Sequence, residues 1–378
     1  MLMRKPRYIR TLDGIPYLSK KEKEMLKPVC KKFAMRVNEY YLSLIDWDDP
    51  NDPIRKIIIP NREELKEWGE LDASREHDYT KAPGLEHKYE YTALLLVNHV
   101  CGGFCRFCFR KRLFIEGNQE VVSDISEGLE YIRQHKKITN VLLTGGDPLL
   151  LSTNKLEKII SQLRQIDHVQ IIRIGTKIPA FNPFRVLNDP LLPQVIEKFS
   201  TEEKKIYIMA HFNHSRELTE YAIKAMDLLR KAGAITVNQT PLIKGVNDDP
   251  NVLSELFRKL SFIGVPPYYV FQCRPTLGNY SYAVRLEKAF EIFEQARMRT
   301  SGLGKRARFV MSHHSGKIEV VGKTDDYLFM RYHRAAEPTE KSKFVIVKSN
   351  PTAYWFNDYQ EVIDEYSLQN PFLKSSAA

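Results

Sequence analysis

Between residues 92 and 301, short apolar runs alternate with helix-length amphipathic stretches, and nothing else in the chain restricts its fold as much. The runs fall at 92–100, 140–144, 169–175, 205–211, 235–242 and 268–272. They are nearly continuous in apolar character, as expected of parallel strands covered on both faces. The stretches between and after them, at 123–136, 153–165, 189–199, 217–232, 250–262 and 281–301, carry helical periodicity. In the fourth, Leu218, Tyr221, Ala222, Ala225, Leu228, Leu229 and Ala232 recur on one face. Lys224, Asp227, Arg230 and Lys231 fall largely on the other, and Gly233 supplies a C-terminal stop. Six strand–helix units in series predict a parallel sheet with right-handed crossovers. An open doubly wound sheet and a barrel both satisfy that pattern. Eight units close a standard barrel, so six point to a curved, incomplete parallel (β/α)6 barrel. In either arrangement reactive side chains belong at the C-terminal ends of the strands.

The flanks read differently. Residues 1–91 are polar and predicted to form a helical N-terminal extension, with an amphipathic patch over 22–41 and extended pieces around Pro50, Pro53 and Pro60. After Gly302, runs at 308–311, 317–321, 327–332 and 344–348 predict a small β-rich segment. This divides an α/β chain into 1–91, 92–302 and 303–378. No apolar run approaches the length of a membrane span, and no apolar stretch follows the basic start, so the expected compartment is the cytoplasm. The net charge is +10, but the basic residues are scattered, as over 20–32 and 341–348. That pattern suits a solvated surface better than a nucleic-acid stripe.

The chain has 5 cysteines, and an odd number without a leader argues against a disulfide framework. Cys101, Cys105 and Cys108 share one loop after the first apolar run, in the order Cys-Gly-Gly-Phe-Cys-Arg-Phe-Cys. Structural zinc normally takes four protein ligands, often from two separated pairs, and no second pair exists here. A four-iron cluster normally takes four cysteines. Three thiolates would leave one iron open to another ligand, and Gly102 and Gly103 let the backbone bend around a bulky centre.

The CxxxCxxC spacing, with an aromatic before the last cysteine, resembles the radical S-adenosylmethionine superfamily. The resemblance implies a [4Fe-4S] cluster on Cys101, Cys105 and Cys108, and S-adenosyl-L-methionine as the compound it cleaves. Thr144-Gly145-Gly146-Asp147-Pro148, after the second run, resembles the glycine-rich motif that meets the methionine amino group. The closer likeness is to lysine 2,3-aminomutase. It rests on Tyr40 to Asp46, Cys108 to Arg112, Leu143 to Leu150, Arg173 to Gly175, His211 to His214, Asn238-Gln239, Gly245 to Asp248 and Pro267 to Cys273. That family also uses pyridoxal 5'-phosphate, and its cofactor lysine matches Lys317, after Gly316. The family's preceding glycines are replaced here by His313, His314 and Ser315. Arg110 matches the arginine that pairs with the substrate carboxylate. Lys88 and Tyr89 match a segment near the cofactor phosphate, where a further family arginine is Thr92. His211 and Gln239 match residues touching S-adenosylmethionine. The implied activity is the transfer of an α-amino group to the β-carbon of an amino acid, with an electron from a flavodoxin or ferredoxin.

The lysine enzymes of that family hold the distal ammonium with two aspartates. One position is Arg274 here, and the segment 309–312 contains no acid for the other. A guanidinium repels an ammonium and suits a second carboxylate, such as that of glutamate. Lysine is therefore expected to be a poor substrate. The alternatives are lysine 2,3-aminomutase proper, or a radical enzyme modifying a protein or RNA. No cysteine follows Cys273, so the intersubunit zinc of the lysine enzymes is not expected, and a homo-oligomer would use another contact.

Overall fold

A computed structural model describes residues 5–115 and 117–367. Strands β1 (Tyr8–Ile9) and β2 (Val37–Asn38) pair in a small antiparallel ribbon. The remaining strands form one thirteen-stranded sheet in sequence order. They are β3 (Thr80–Ala82), β4 (Leu85–Tyr89), β5 (Thr92–Asn98), β6 (Asn140–Gly145), β7 (Ile171–Thr176), β8 (Ile206–Ala210), β9 (Ile235–Leu242), β10 (Pro267–Gln272), β11 (Arg308–His313), β12 (Gly316–Lys323), β13 (Tyr327–Ala335), β14 (Phe344–Lys348) and β15 (Val362–Tyr366). From β5 to β11 every neighbouring pair is parallel. The two ends of the sheet, β3–β5 and β11–β15, are antiparallel.

The six predicted strands of the central region are all present. Helices α2 (Ser126–Gln134), α3 (Thr153–Arg164), α4 (Leu191–Phe199), α5 (Glu220–Lys231) and α6 (Pro250–Phe262) connect β5 to β10 in turn, and α7 (Leu286–Met298) leads into β11. Their starts are set locally. Thr219 Oγ1 accepts from Ala222 N at the head of α5, and Asp249 Oδ1 accepts from Asn251 N, with Pro250 opening α6. The buried stripe of α5 is Ala222, Ala225, Met226 and Leu229. Leu228, expected on the apolar face, is 36% exposed. Met226, about half a turn away around the helix, is buried instead, while Ala222, Ala225 and Leu229 keep their expected places.

Two expectations need correction. The strand over 308–313 continues the parallel run as its seventh member rather than opening a separate β segment, because α7 returns the chain to the same end of the sheet. The N-terminal region is only partly helical. Its one long helix is α1 (Lys20–Lys32), closed by reciprocal Ser19–Glu22 hydrogen bonds, and the region ends in the β3–β4 hairpin, which joins the sheet beside β5. Period-two patterning in 85–89 is too short to compete with the polar, helix-like composition around it.

Along the parallel strands, side chains alternate between the helix layer and an interior. Ile172 and Ile174 of β7 are fully buried in the helix-facing core, whereas Arg173 and Gly175 between them line a cavity of about 370 Å³. The sheet curls around that cavity far enough for opposite ends to touch. Arg334 Nη2, on β13, donates to Thr92 Oγ1 of β5 at 2.8 Å. Lys88 Nζ, on β4, donates to the carbonyl of His313 at the end of β11.

A second apolar cluster, including Ile15, Tyr41, Ile54, Ile57 and Ile58, packs the N-terminal region against Phe107, Phe181 and Tyr282. It braces the cysteine loop directly. Arg36 Nε donates to the Cys101 carbonyl at 2.8 Å, Asn38 Nδ2 to the Gly102 carbonyl at 3.2 Å, and Arg106 N to the Ile57 carbonyl at 2.9 Å.

Candidate active site

The cysteine loop leaves the end of β5 and carries all three thiols to the mouth of the cavity. Arg106, between the second and third cysteines, is 2% exposed and grips Glu64, which is 0% exposed, through Nε at 3.0 Å and Nη2 at 2.7 Å. Its Nη1 donates to the Ala34 carbonyl at 2.9 Å. The loop is thus pinned from outside while its sulfurs face inward. Burial raises the pKa of each thiol, to about 12 at Cys105. An unliganded trio is therefore neutral, and thiolates here need a cationic centre to hold them. Among the described residues, no three Cys, His, Asp or Glu side chains gather closely enough for a single ion. All three cysteines line the cavity.

The Gly145-Gly146 turn ends β6. Gly145 has φ of +102°, and a Cβ on Gly146 would lie 2.6 Å from the Val100 carbonyl oxygen. The close backbone contact brings this turn against the cysteine loop, with Asp147 N donating to the Val100 carbonyl at 2.8 Å. The Asp147 carboxylate is engaged locally. It accepts from Thr176 Oγ1 at 2.8 Å, Lys177 N at 2.7 Å and Leu149 N at 3.1 Å. Burial nevertheless pushes its pKa up to about 6. His211 is held neutral by burial, with Nε2 lacking a hydrogen-bond partner among the described residues, and Gln239 lines the same cavity.

Lys317 stands at the other side. Its Nζ donates to Ser312 Oγ at 3.0 Å and lies 4.9 Å and 4.7 Å from the ring centres of Tyr269 and Phe271. Burial, then the charges of Arg274, Arg334, Lys88 and Arg173, hold its pKa well below the ordinary lysine range. A shift in that direction enlarges the neutral, nucleophilic fraction of the amine, which suits attachment of an aldehyde cofactor. Lys88 is lowered to about 7, mainly by burial, and Tyr89 is raised to about 12 by burial.

Arg110 is already occupied. Its Nε and Nη2 form a fork on Glu76 at 2.9 and 2.8 Å, and Nη1 donates to Thr144 Oγ1 at 2.9 Å. Glu86 lies 3.4 Å from Nη2, and burial followed by repulsion from Glu76 raises its pKa to about 7. Arg274 is the contrasting case. Its guanidinium lies 3.6 Å from the centre of the Phe109 ring, makes no ion pair, and leaves Nη1 buried without a hydrogen-bond partner among the described residues. Burial lowers its pKa to about 10, so it stays charged at neutral pH.

The family model described as Radical SAM superfamily matches residues 95–256. Over 364 residues the chain is 58% identical to a protein named "Putative L-lysine 2,3-aminomutase" from Aquifex aeolicus, covering 96% of this chain and 97% of that protein. The chain belongs to the lysine 2,3-aminomutase family. It is also 40% identical over 288 residues to the L-lysine 2,3-aminomutase of Clostridium subterminale, covering 75% of this chain and 68% of that enzyme. To the glutamate 2,3-aminomutase of Clostridioides difficile it is 34% identical over 332 residues, covering 85% and 77%. The radical S-adenosylmethionine superfamily implies a [4Fe-4S] cluster and S-adenosylmethionine. Three half-buried cysteines lining one cavity are chemically suited to such a cluster.

Of the residues singled out from the sequence, all but Gly145 line the one cavity. Four further side chains, to which the sequence assigned no role, join them. Glu76 and Glu86 fasten Arg110, while Arg173 and Arg334 add positive charge around Lys317. Only alternation along β7 and β13 marks the two arginines as inward-facing, and that signal says nothing of what they face. Among the described residues, no helix is long and apolar enough to cross a membrane.

Proposed function

We propose that this chain is a radical S-adenosylmethionine, pyridoxal-phosphate-dependent 2,3-aminomutase acting on an amino acid with a second carboxylate, such as glutamate. In this reading the curled sheet is the incomplete (β/α)6 barrel and the cavity is its mouth. When bound, the cluster supplies an electron, from a flavodoxin- or ferredoxin-like donor, to cleave the sulfonium, and pyridoxal phosphate supplies the aldehyde that takes up the substrate amine.

The chain's own residues divide the remaining work. Cys101, Cys105 and Cys108 hold the cluster. The Gly145-Gly146 backbone, His211 and Gln239 receive S-adenosylmethionine beside it. Asp147 fixes that turn to the end of β7. Lys317, its pKa depressed by burial and neighbouring cations, attaches the cofactor. Arg274 receives a substrate carboxylate. The buried walls of Phe109, Tyr269 and Phe271 keep water from the reacting carbon.

The observation that carries the substrate class is the unpartnered Nη1 of Arg274 in the cavity that contains Lys317. A buried guanidinium without a counterion is costly, and a ligand carboxylate satisfies it in a charge-assisted pair. An oxygen-free assay with cluster-loaded protein, both cofactors and a reductant tests the reading. Formation of β-glutamate and 5'-deoxyadenosine faster than any β-lysine supports it. Lysine turnover at a rate comparable to the best substrate refutes it. One observation favours lysine as a second reading: Glu86 Oε1 is buried without a hydrogen-bond partner, and a carboxylate oxygen there would accept from an ammonium. The same assay separates the two.

A further inference from the structure

Lys317 and Arg334 are direct partners across the antiparallel β12–β13 ladder. Side chains opposite one another in such a ladder share a face, and like charges placed there repel. The pairing is tight, because a Cβ on Gly316 would run into the Arg334 carbonyl oxygen. Two further cations surround the pair, Arg173 from β7 and Lys88 from β4, and all four line the cavity. Among the described residues, none of the four makes an ion pair. Their hydrogen-bond partners are neutral: Thr92 Oγ1 for Arg334, Asn140 Oδ1 at 2.8 Å for Arg173, Ser312 Oγ for Lys317 and the His313 carbonyl for Lys88. The Arg334 guanidinium also lies over the Tyr89 ring, 4.0 Å from its centre, a contact that restricts its swing.

Arg173 and Arg334, with Lys88 and the depressed Lys317 beside them, are all charged together only with negative charge between the groups. Each of these cations makes charging its neighbours harder: Arg334 appears among the groups lowering both Arg173, held at about 10, and Lys317. A single carboxylate would neutralise one of them. A phosphate monoester brings close to two charges and three acceptor oxygens, and a guanidinium fork matches it.

We propose that Arg334, oriented by Tyr89 and Thr92 and supported by Arg173, is the arginine that receives the phosphate monoester of the aldehyde cofactor held on Lys317. The inference rests on the reading of Lys317 given above. It assigns the principal phosphate contact to the strand after the lysine, rather than to the Lys88–Tyr89 segment that the sequence indicates.

The test compares pyridoxal 5'-phosphate with pyridoxal, which lacks the phosphate, on the full-length protein. Binding is followed by absorbance titration, and the product is fixed with borohydride and located by peptide mass. In the unaltered protein, the phosphorylated compound binds more tightly, modifies Lys317, and is displaced by inorganic phosphate. In Arg334→Leu its affinity falls by about tenfold or more, as for loss of one charged hydrogen bond. Pyridoxal affinity stays the same, and inorganic phosphate no longer competes. Adding Thr92→Arg to Arg334→Leu restores the preference for the phosphorylated compound, since a guanidinium from residue 92 starts where the Arg334 fork ends. That recovery also shows that the fold survives. Unchanged phosphate preference in Arg334→Leu, or equal losses for both compounds, overturns the inference while leaving Lys317 as the cofactor lysine. Absence of any Lys317 product in the unaltered protein overturns the earlier reading, and this one with it.

Discussion

Arg274→Met separates the cost of this cavity from its use. The guanidinium is held near 10 against an ordinary 12.5. Charging it in place therefore costs about 3 kcal/mol, at 1.36 kcal/mol per unit. Its closest compensation is attraction to Glu76, which Arg110 and Arg112 already neutralise. Methionine keeps the length of the side chain and can still lie on the Phe109 ring. Replacing arginine should thus stabilise the protein without substrate by about 1–3 kcal/mol, the reverse of the usual sign for a cavity mutation. The same change removes a charge-assisted hydrogen bond to substrate of about 1.5–3 kcal/mol, a loss of roughly tenfold to a hundredfold or more in glutamate kcat/KM. Urea unfolding of the apoprotein reads the first effect, and an anaerobic β-glutamate assay reads the second. A variant less stable than the parent, or one that keeps full glutamate turnover, would show that Arg274 is a structural arginine and defeat the argument.

Other outcomes follow from contacts already described. Glu64→Ala leaves Arg106 charged and buried beneath the cysteine loop, at a cost of about 3–5 kcal/mol in urea unfolding and with poorer iron–sulfide loading. The double change Glu64→Leu with Arg106→Met should recover most of that stability, and a loss under about 1 kcal/mol for Glu64→Ala would contradict the account. Gly146→Ala forces backbone against backbone at Val100 and should weaken equilibrium binding of S-adenosylmethionine by an amount corresponding to about 1–3 kcal/mol; undiminished binding argues against that placement. Burial and the neighbouring cations lower the pKa of Lys317, so its capture by pyridoxal should level off at a lower pH than that of an ordinary lysine, whose rate climbs about tenfold per unit toward 10.5. Because the folded-state pKa lies below the unfolded 10.5, the unfolded chain binds more protons in between, and this group's contribution to stability rises with pH up to about 10.5. A tenfold-per-unit rise in Lys317 labelling that continues to about pH 10.5 would rule this out.

Local pattern along the chain encodes one part of this architecture. Apolar periodicity located the strands and helices of the central region within a few residues, because a buried strand and an amphipathic helix differ in repeat. The loop of three thiols is also local, since its chemistry depends on spacing within eight residues. What stands opposite what was decided only by the curl of the sheet. Glu76 meets Arg110 across 34 positions, Glu64 meets Arg106 across 42, and Arg334 reaches Thr92 across 242. Alternation along β13 makes Arg334 face inward, but only the register of β12 against β13 puts it beside Lys317. A one-residue slip of that register would turn it to the other face. The charge balance of the cavity, with Arg110 satisfied and Arg274 left unpaired, is likewise a property of side chains brought together from distant strands, and no segment of the chain carries it alone.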